Sequence, residues 1–360
     1  MKGTIEKFLI SLVIMIFSNF MFAQTQFVYQ GKILDNQTKE PIPFAHIFFN
    51  NTSHGTQANE LGEFSLAKIN PGQYQVHVSS IGYENKIYAL KLEESTKNLL
   101  IYLTESTNNL LEVKVSAGKD VNWERSMKIF ERELLGRGYS RKEIHISNRE
   151  VVEFENNGDL KRNFKAKAKD ALLIENNILG YIYRGFLTEF EITKKQTRYT
   201  LSGYFEHMEP KDFKELVRWI RKRRYAYEGS LRHFLHAFIV NKLEEEGFST
   251  TINVGGKNVA FNPLQYIKIT PDSSIYQINF PGLITCYYRN TKFSSILKPQ
   301  STIYCTKSGL LLNPLSIEAN GKMADFRMAD ELPTDYNYQS TFQKEKSIEE
   351  QLYYLKGKIK

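Results

Sequence analysis

Between Phe27 and Leu103 apolar and polar residues alternate in six short runs, "FVYQGKIL", "AHIFFN", "GEFSLAKI", "QYQVHVSS", "KIYALKL" and "NLLIYL", separated by Gly, Pro and Asn. Alternation with period two buries every second side chain of a strand, so these runs predict an antiparallel β-sandwich over 24–108. Within "YQVHVSS" the same alternation sends Tyr74, Val76 and Val78 to the core and turns His77 to solvent. From Val121 the period changes to that of a helix, with Trp123, Met127, Phe130 and Leu134 on one face and Gly136 as a stop. Strand-like runs then return in "EVVEFEN", "NFKAKAK", "ALLIEN", "ILGYIYRGFLTEFEIT" and "TRYTLSGYF".

Two helices interrupt these strands. One spans 210–224 and places Phe213, Leu216, Val217 and Ile220 on a single stripe. The next begins after Ser230, a suitable N-cap, buries Leu231, Phe234, Leu235, Phe238 and Ile239, and stops by Gly247. Further strands follow in "LQYIKI", "SIYQINF", "LITCYY", "STIYC" and "LSIEA". Residues 121–340 are therefore expected to form an α+β domain with antiparallel sheets and a helical pair. Residues 109–120 read as a linker, and the charge-rich 341–360 as a C-terminal tail with a short helix.

The N-terminus carries an address. Lys2 and Lys7 precede an apolar run from Phe8 to Phe17, and Ala23 stands before Gln24, which is the layout of a secretory signal peptide over 1–23. A retained anchor is the alternative, and no cysteine follows the run to take a lipid. Cleavage leaves 337 of the 360 residues and, by removing Lys2, Lys7 and Glu6, takes the formal net charge from +8 to +7. That excess favours anionic partners. Export takes nucleic acid out of consideration, and no later run is long and apolar enough to cross a bilayer. Cys286 and Cys305 lie in strand-like runs, so two buried thiols are the first reading and a disulfide between neighbouring strands the second.

The segments "GKILDNQTKEPIPFAHI", "TSHGTQANELGEFSL" and "PGQYQVHVSSIGYE" resemble the carboxypeptidase-regulatory-like domain, a transthyretin-like sandwich found at the N-termini of TonB-linked outer-membrane receptors. The resemblance rests on Gly31, Asp35, Pro41, Ala45, Gly55, Thr56, Gly62, Phe64, Pro71, Gly72, Tyr74, Val78, Ile81, Gly82 and Tyr83. The glycines suit tight turns and the aromatics suit a core. Asn59 stands where the family often has Asp, and it can make the same local turn. "NLLEVKVSAG" resembles the segment that joins this domain to a receptor barrel, but the series of membrane strands a barrel needs does not follow. Farther on, "ALLIENNILGYIY", "RRYAYEGSLRHFLHAF" and "GKMADFRMADELPTDY" resemble the uncharacterised second domain of exported proteins from Gram-negative envelopes. The resemblance implies a periplasmic or outer-membrane-associated protein and carries no catalytic assignment.

Searching for chemistry returns little. A zinc carboxypeptidase needs a His-x-x-Glu pair and a later His, and no histidine here has Glu three residues on. His233 and His236 are one helical turn apart, but the wheel sends both away from the apolar stripe and no third ligand is spaced nearby. "HME" at His207–Glu209 is equally thin, and "SILK" at Ser295–Lys298 with "KSG" at Lys307–Gly309 matches the penicillin-binding pattern only by chance of spacing. No phosphate loop, dinucleotide fingerprint or calcium loop is present, and no cofactor is implied.

The basic run remains. Arg218, Arg221, Lys222, Arg223, Arg224 and Arg232 could face an anionic glycan or lipid headgroup, with Trp219, Tyr225 and Tyr227 stacking on sugar rings. A helix whose acids lead and whose bases trail explains the same charges through its dipole. The first expectation is a non-enzymatic envelope protein that binds another protein or a surface component; the alternatives are the anionic-surface binder and a hydrolase with a non-standard site. Intact-mass measurement of the chain secreted by its native host should show an N-terminus at Gln24, and a mass retaining residues 1–23 would establish an anchor instead.

Overall fold

The computed structural model describes residues 26–106, 121–156, 163–193, 197–259, 261–270, 275–289 and 294–338. The signal segment, the linker over 109–120 and the tail over 341–360 lie outside the described residues. The chain divides into two compact units, one of residues 1–50 and 54–111, the other of residues 51–53 and 112–360.

Unit 1 is a sandwich of two sheets. One has the order β4 (Glu63–Ile69), β1 (Phe27–Asp35), β7 (Thr96–Leu103); the other runs β3 (Gly55–Gln57), β2 (His46–Phe49), β5 (Gly72–Ser79), β6 (Lys86–Leu92). All six expected runs coincide with strands of these sheets to within about two residues at each end, the ordinary scatter of element boundaries. The three-residue β3 is too short to show a period. Ile33, Ile47, Phe49, Ile69, Val76 and Val78 are fully buried between the sheets, with Tyr74 stacked on Phe49 at 4.5 Å between ring centroids. Asn59 makes the turn before β4 by accepting from the backbone N–H groups of Leu61 at 3.0 Å and Glu63 at 2.9 Å.

Three details depart from the expected sandwich. β1 and β7 pair in parallel, Ile33 opposite Ile101, because β7 arrives from the other sheet and is not bound by hairpin geometry. Gly31 sits inside β1 and not in a turn; a Cβ there would lie 2.0 Å from the Leu99 carbonyl oxygen on β7. His77 is buried, stacked on Phe48 of the adjacent strand at 5.2 Å, with Nε2 2.9 Å from Gln75 Oε1. Alternation correctly sends it away from Val76 and Val78, but cannot tell whether that second face is wet.

Unit 2 has two cores joined by the helical pair. In the first, α1 (Val121–Leu135) lays Met127, Phe130 and Leu134 onto a six-stranded sheet, and Gly136 ends it at φ +119°. The sheet comprises β8 (Ile144–Ile146), β11 (Leu172–Asn176), β12 (Tyr181–Thr193), β10 (Asn163–Ala168) and β9 (Val152–Asn156), with β13 (Thr197–His207) also pairing with β12. β12 is its spine: β13 follows it from Tyr181 to Ile192, while β11 covers its first half and β10 its end. Phe130 meets Phe190 of β12 edge-on at 4.7 Å.

The second core gathers α3 (Leu231–Ile239) and two antiparallel sheets. Their orders are β15 (Lys257–Val259), β14 (Phe248–Val254), β18 (Leu283–Tyr288), β19 (Ser294–Pro299), β21 (Ile317–Gly321), and β16 (Ile267–Ile269), β17 (Ile275–Ile278), β20 (Ile303–Thr306). α2 (Phe213–Tyr227) starts on an Asp212 cap whose side chain accepts from Glu215 N–H. Its buried residues are Val217, Trp219, Ile220, Ala226 and Tyr227, whereas Phe213, expected on the core stripe, is 46% exposed. Ser230 caps α3 as expected, by accepting from His233 N–H. α3 ends at Ile239, before Gly247, which instead turns the chain into β14 at φ +88°.

Gly31→Ala should destabilise the whole chain by about 1–3 kcal/mol, since the added methyl meets a backbone carbonyl of a paired strand. Gly82→Ala, at φ +84° but with nothing within 4 Å of the added atom, should cost about 1 kcal/mol. Chemical denaturation of the two variants checks the order, and equal midpoints would contradict the close strand approach.

Candidate functional site

α2 ends where the chain must reverse into α3. Glu228 occupies the C-cap, with its N–H on the Arg224 carbonyl, and Gly229 makes the reversal at φ +76°. A Cβ at Gly229 would come within 3.0 Å of the Tyr288 ring, so the elbow requires glycine for both conformation and space. The Glu228 carboxylate is buried at this elbow. Its Oε1 accepts from Tyr338 Oη at 2.8 Å and Arg289 Nη2 at 3.1 Å, and Arg224 Nη1 lies 3.6 Å away.

One turn into α3, His233 is 1% exposed, ringed by Tyr227, Phe248 and Tyr288 at centroid distances of 4.9, 4.9 and 5.5 Å. Gly229 N–H donates to its Nδ1 at 3.1 Å, so the neutral ring carries its proton on Nε2, which donates to Glu246 Oε2 at 3.2 Å. Burial pulls the His233 pKa below the usual value, with the Glu246 hydrogen bond opposing it. The expectation that His233 and His236 share a polar face is therefore corrected for His233. A helical wheel sees one apolar stripe, but β14 and β18 cover a second side of α3. His236 turns elsewhere, Nδ1 lying 2.7 Å from the Lys307 carbonyl.

Beside the elbow lies a cavity of about 280 Å³. Tyr225 and Lys222 of α2 line it with Glu228 and Gly229; β18 contributes Cys286 and Tyr288, β19 contributes Ser295, and Lys322, Met323, Phe326 and Asp330 complete the lining with Tyr139. The Tyr288 hydroxyl is buried without a hydrogen-bond partner among the described residues, and burial pushes its pKa up to about 12. Burial also pushes the Cys286 thiol up to about 12 and raises Asp330, whose Oδ1 accepts from Tyr139 Oη at 2.9 Å. Both cysteines are free and buried, on strands of different sheets.

The basic run divides by destination. Arg223 donates to the carbonyls of Leu179 at 2.6 Å and Gly180 at 3.1 Å and stacks over Tyr181 at 4.0 Å. Arg232 straps down the C-terminal segment through the carbonyls of Pro333, Thr334 and Tyr336, at 2.8, 2.8 and 3.2 Å. Arg224 belongs to the Glu228 cluster. Arg218, paired with Glu215 at 2.8 Å, together with Arg221 and Lys222, is exposed. Of the aromatics expected to stack on sugars, Trp219 is buried with Nε1 on the Asn177 carbonyl at 2.9 Å, Tyr227 is buried, and Tyr225 is 53% exposed.

The remaining sequence motifs do not assemble into a site. Ser295 and Lys298 are three apart on β19 and so point to opposite faces, and Ser295 Oγ already accepts from Met323 N–H at 3.0 Å. Among the described residues no group of three or more His, Cys, Asp or Glu side chains could hold a metal ion. Nothing in the sequence marks Glu228, Tyr288, Tyr139, Lys322 or Asp330 as neighbours. They come from segments as much as 191 positions apart, as in the Tyr139 to Asp330 bond.

Residues 29–115 match the family model of the CarboxypepD_reg-like domain. That domain is a non-catalytic regulatory fold. Among solved structures, a DUF3823 family protein from Bacteroides uniformis aligns at 10% identity over 82% of this chain and 96% of its own, with a TM-score of 0.18. Another from Bacteroides ovatus aligns at 10% identity over 51% of this chain and 82% of its own, also at 0.18. An interface mutant of a type II cohesin–X-dockerin complex from Acetivibrio cellulolyticus aligns at 16% identity over 21% of this chain and 56% of its own, at 0.20. The alignment thus spans just over half of that last chain, and scores this low carry no argument about fold or function. No curated protein matches the chain.

Protonating His233 would break its bond from Gly229 N–H and set a charge beside three aromatic rings. Its folded pKa lies below the unfolded value of about 6.5, so the stability it contributes is full above that pH and is lost as pH falls through the folded value. Thermal midpoints between pH 7.5 and 5 should therefore fall more steeply for the natural chain than for His233→Asn, which keeps an acceptor for Gly229. Parallel profiles would show that His233 does not titrate in this range.

Proposed function

We propose that this chain is an exported, non-catalytic binding protein of a Gram-negative envelope, recognising another protein or a surface component through its sandwich and its second unit. One observation carries this reading. The ionisable groups at the elbow are committed to one another: Glu228 to Tyr338, Arg289 and Arg224, and His233 through both ring nitrogens. The Cys286 thiol beside them is held protonated by burial. A nucleophile or general base needs a lone pair free to meet substrate, and these groups spend theirs on holding the fold. The cavity lining also presents Tyr139, Tyr225, Lys222 and Lys322, aromatic and cationic groups suited to contact with a ligand.

The N-terminal arrangement of Lys2, Lys7, Phe8–Phe17 and Ala23 supports export, and the non-catalytic sandwich supports a binding role. A second reading, an anionic glycan or lipid headgroup as the surface component, is favoured by the exposure of Arg218, Arg221 and Lys222 on α2. In that reading Arg223, Arg224 and Arg232 contribute field but no contact. Crosslinking in the native host followed by purification from envelope fractions should return the same partner in independent repeats. Loss of the protein to the cytoplasmic fraction would overturn export, and turnover of a peptide, ester or glycoside panel by the purified chain would overturn the non-catalytic reading.

A further inference from the structure

The cavity at the elbow is one of two adjoining chambers. A second, of about 540 Å³, is lined by Arg132, Glu133, Arg137, Asp325 and Arg327, and Tyr139, Lys322, Phe326 and Asp330 line both. The Tyr139–Asp330 hydrogen bond stands between them. Their volumes, taken together, fall in the range of about 300–1,000 Å³ usual for small-ligand sites.

The chambers differ in character. Tyr225, Tyr288, Met323 and Phe326 give the first an aromatic and apolar wall. In the second, Arg132 and Arg137 share the single Glu133 carboxylate, at 2.9 and 3.1 Å, leaving one positive charge in excess. Arg327 Nη1 donates to the neutral carbonyls of Ala324 at 2.6 Å and Phe326 at 2.7 Å, and Asp330, which lines the same chamber, offsets its charge. Lys322 sits only loosely against Asp325, at 3.9 Å. With Asp325 and Asp330 set against Lys322 and Arg327, the second chamber keeps one positive charge in excess and favours an anion, while the Asp325 and Asp330 carboxylates offer acceptors to a ligand's hydroxyls. A ligand that satisfies both must carry a negative group at one end and many hydroxyl donors elsewhere. A polyhydroxy ring on the tyrosines also offers the buried Tyr288 hydroxyl the partner it lacks.

We infer that the two chambers bind an acidic saccharide of two rings, a neutral ring against Tyr225 and Tyr288 and a carboxylate-bearing ring among Arg132, Arg137 and Arg327. The inference rests on the binding-protein reading above and names the chemistry of its surface component. A phospholipid headgroup fits less well, since its phosphate would bring few donors to Asp325 and Asp330.

Titration calorimetry of the mature full-length chain at low salt, with glucuronic acid linked to glucose and with cellobiose as the uncharged counterpart, tests it. The acidic disaccharide should bind about tenfold more tightly, a preference that shrinks as salt screens the charges. Lys322→Glu, on a side chain 60% exposed, should weaken the acidic ligand by about fivefold or more, and Tyr225→Ala should weaken both ligands, with unfolding temperatures unchanged. Equal affinity for the two disaccharides overturns the inference, as does an unaltered Lys322→Glu variant. Binding to vesicles containing anionic phospholipid but to neither saccharide also overturns it. Failure of both saccharides while crosslinking still recovers a partner removes the ligand class and leaves the binding-protein reading standing.

Discussion

Glu228 sits where α2 gives way to α3, and its buried carboxylate ties together groups from four places in unit 2: Arg224 on α2, Arg289 just after β18, Tyr338 on the C-terminal segment, and the elbow itself. A carboxylate taken out of water is tolerated only with its charge paired and its lone pairs filled. The elbow geometry, the position of β18 against it and the docking of residues near 338 are therefore set together. Breaking one partner would leave charge stranded beside His233 and the aromatic rings that surround it.

The same logic accounts for the fate of the arginines. Guanidinium groups can satisfy several acceptors in a plane, which suits Arg223 and Arg232 to gathering backbone carbonyls that strands and helices leave unused. Arg223 fixes the turn before β12 to α2, and Arg232 fixes the segment at Pro333–Tyr336 to α3. The helical pair thus joins a core built on α1 and the six-stranded sheet to a core built on α3 and two smaller sheets. The charge that looks like a surface in the sequence is in large part internal mortar. What remains outward is Arg218, Arg221 and Lys222, and the rim of the two chambers.

Function follows from what is already spent. The side chains whose lone pairs hold the elbow are occupied within the fold, and the chambers beside it are walled by aromatic faces, carboxylates and a modest surplus of cations. The sandwich adds a second module, which matches the CarboxypepD_reg-like domain over residues 29–115.

The sequence by itself determined many of the elements and their order: six of the seven sandwich strands through period-two alternation, α1 through Met127, Phe130 and Leu134, and the α3 cap through Ser230, while β3, β8, β14, β15 and β19 were not read from it. These are local properties, since a strand or helix shows its own period and its own ends. It also carried the family strings around Gly31, Asn59 and Gly82. Only the tertiary structure decided that β1 and β7 run parallel, that Gly31 serves a strand contact, that His77 and His233 are buried, and that Arg223 and Arg232 turn inward. It alone assembled the chambers from Tyr139, Lys222, Tyr288 and Asp330. A side chain's second face, its partner across a sheet and the wall of a cavity depend on segments far away in the chain, and periodicity along one segment contains no record of what packs against it from another.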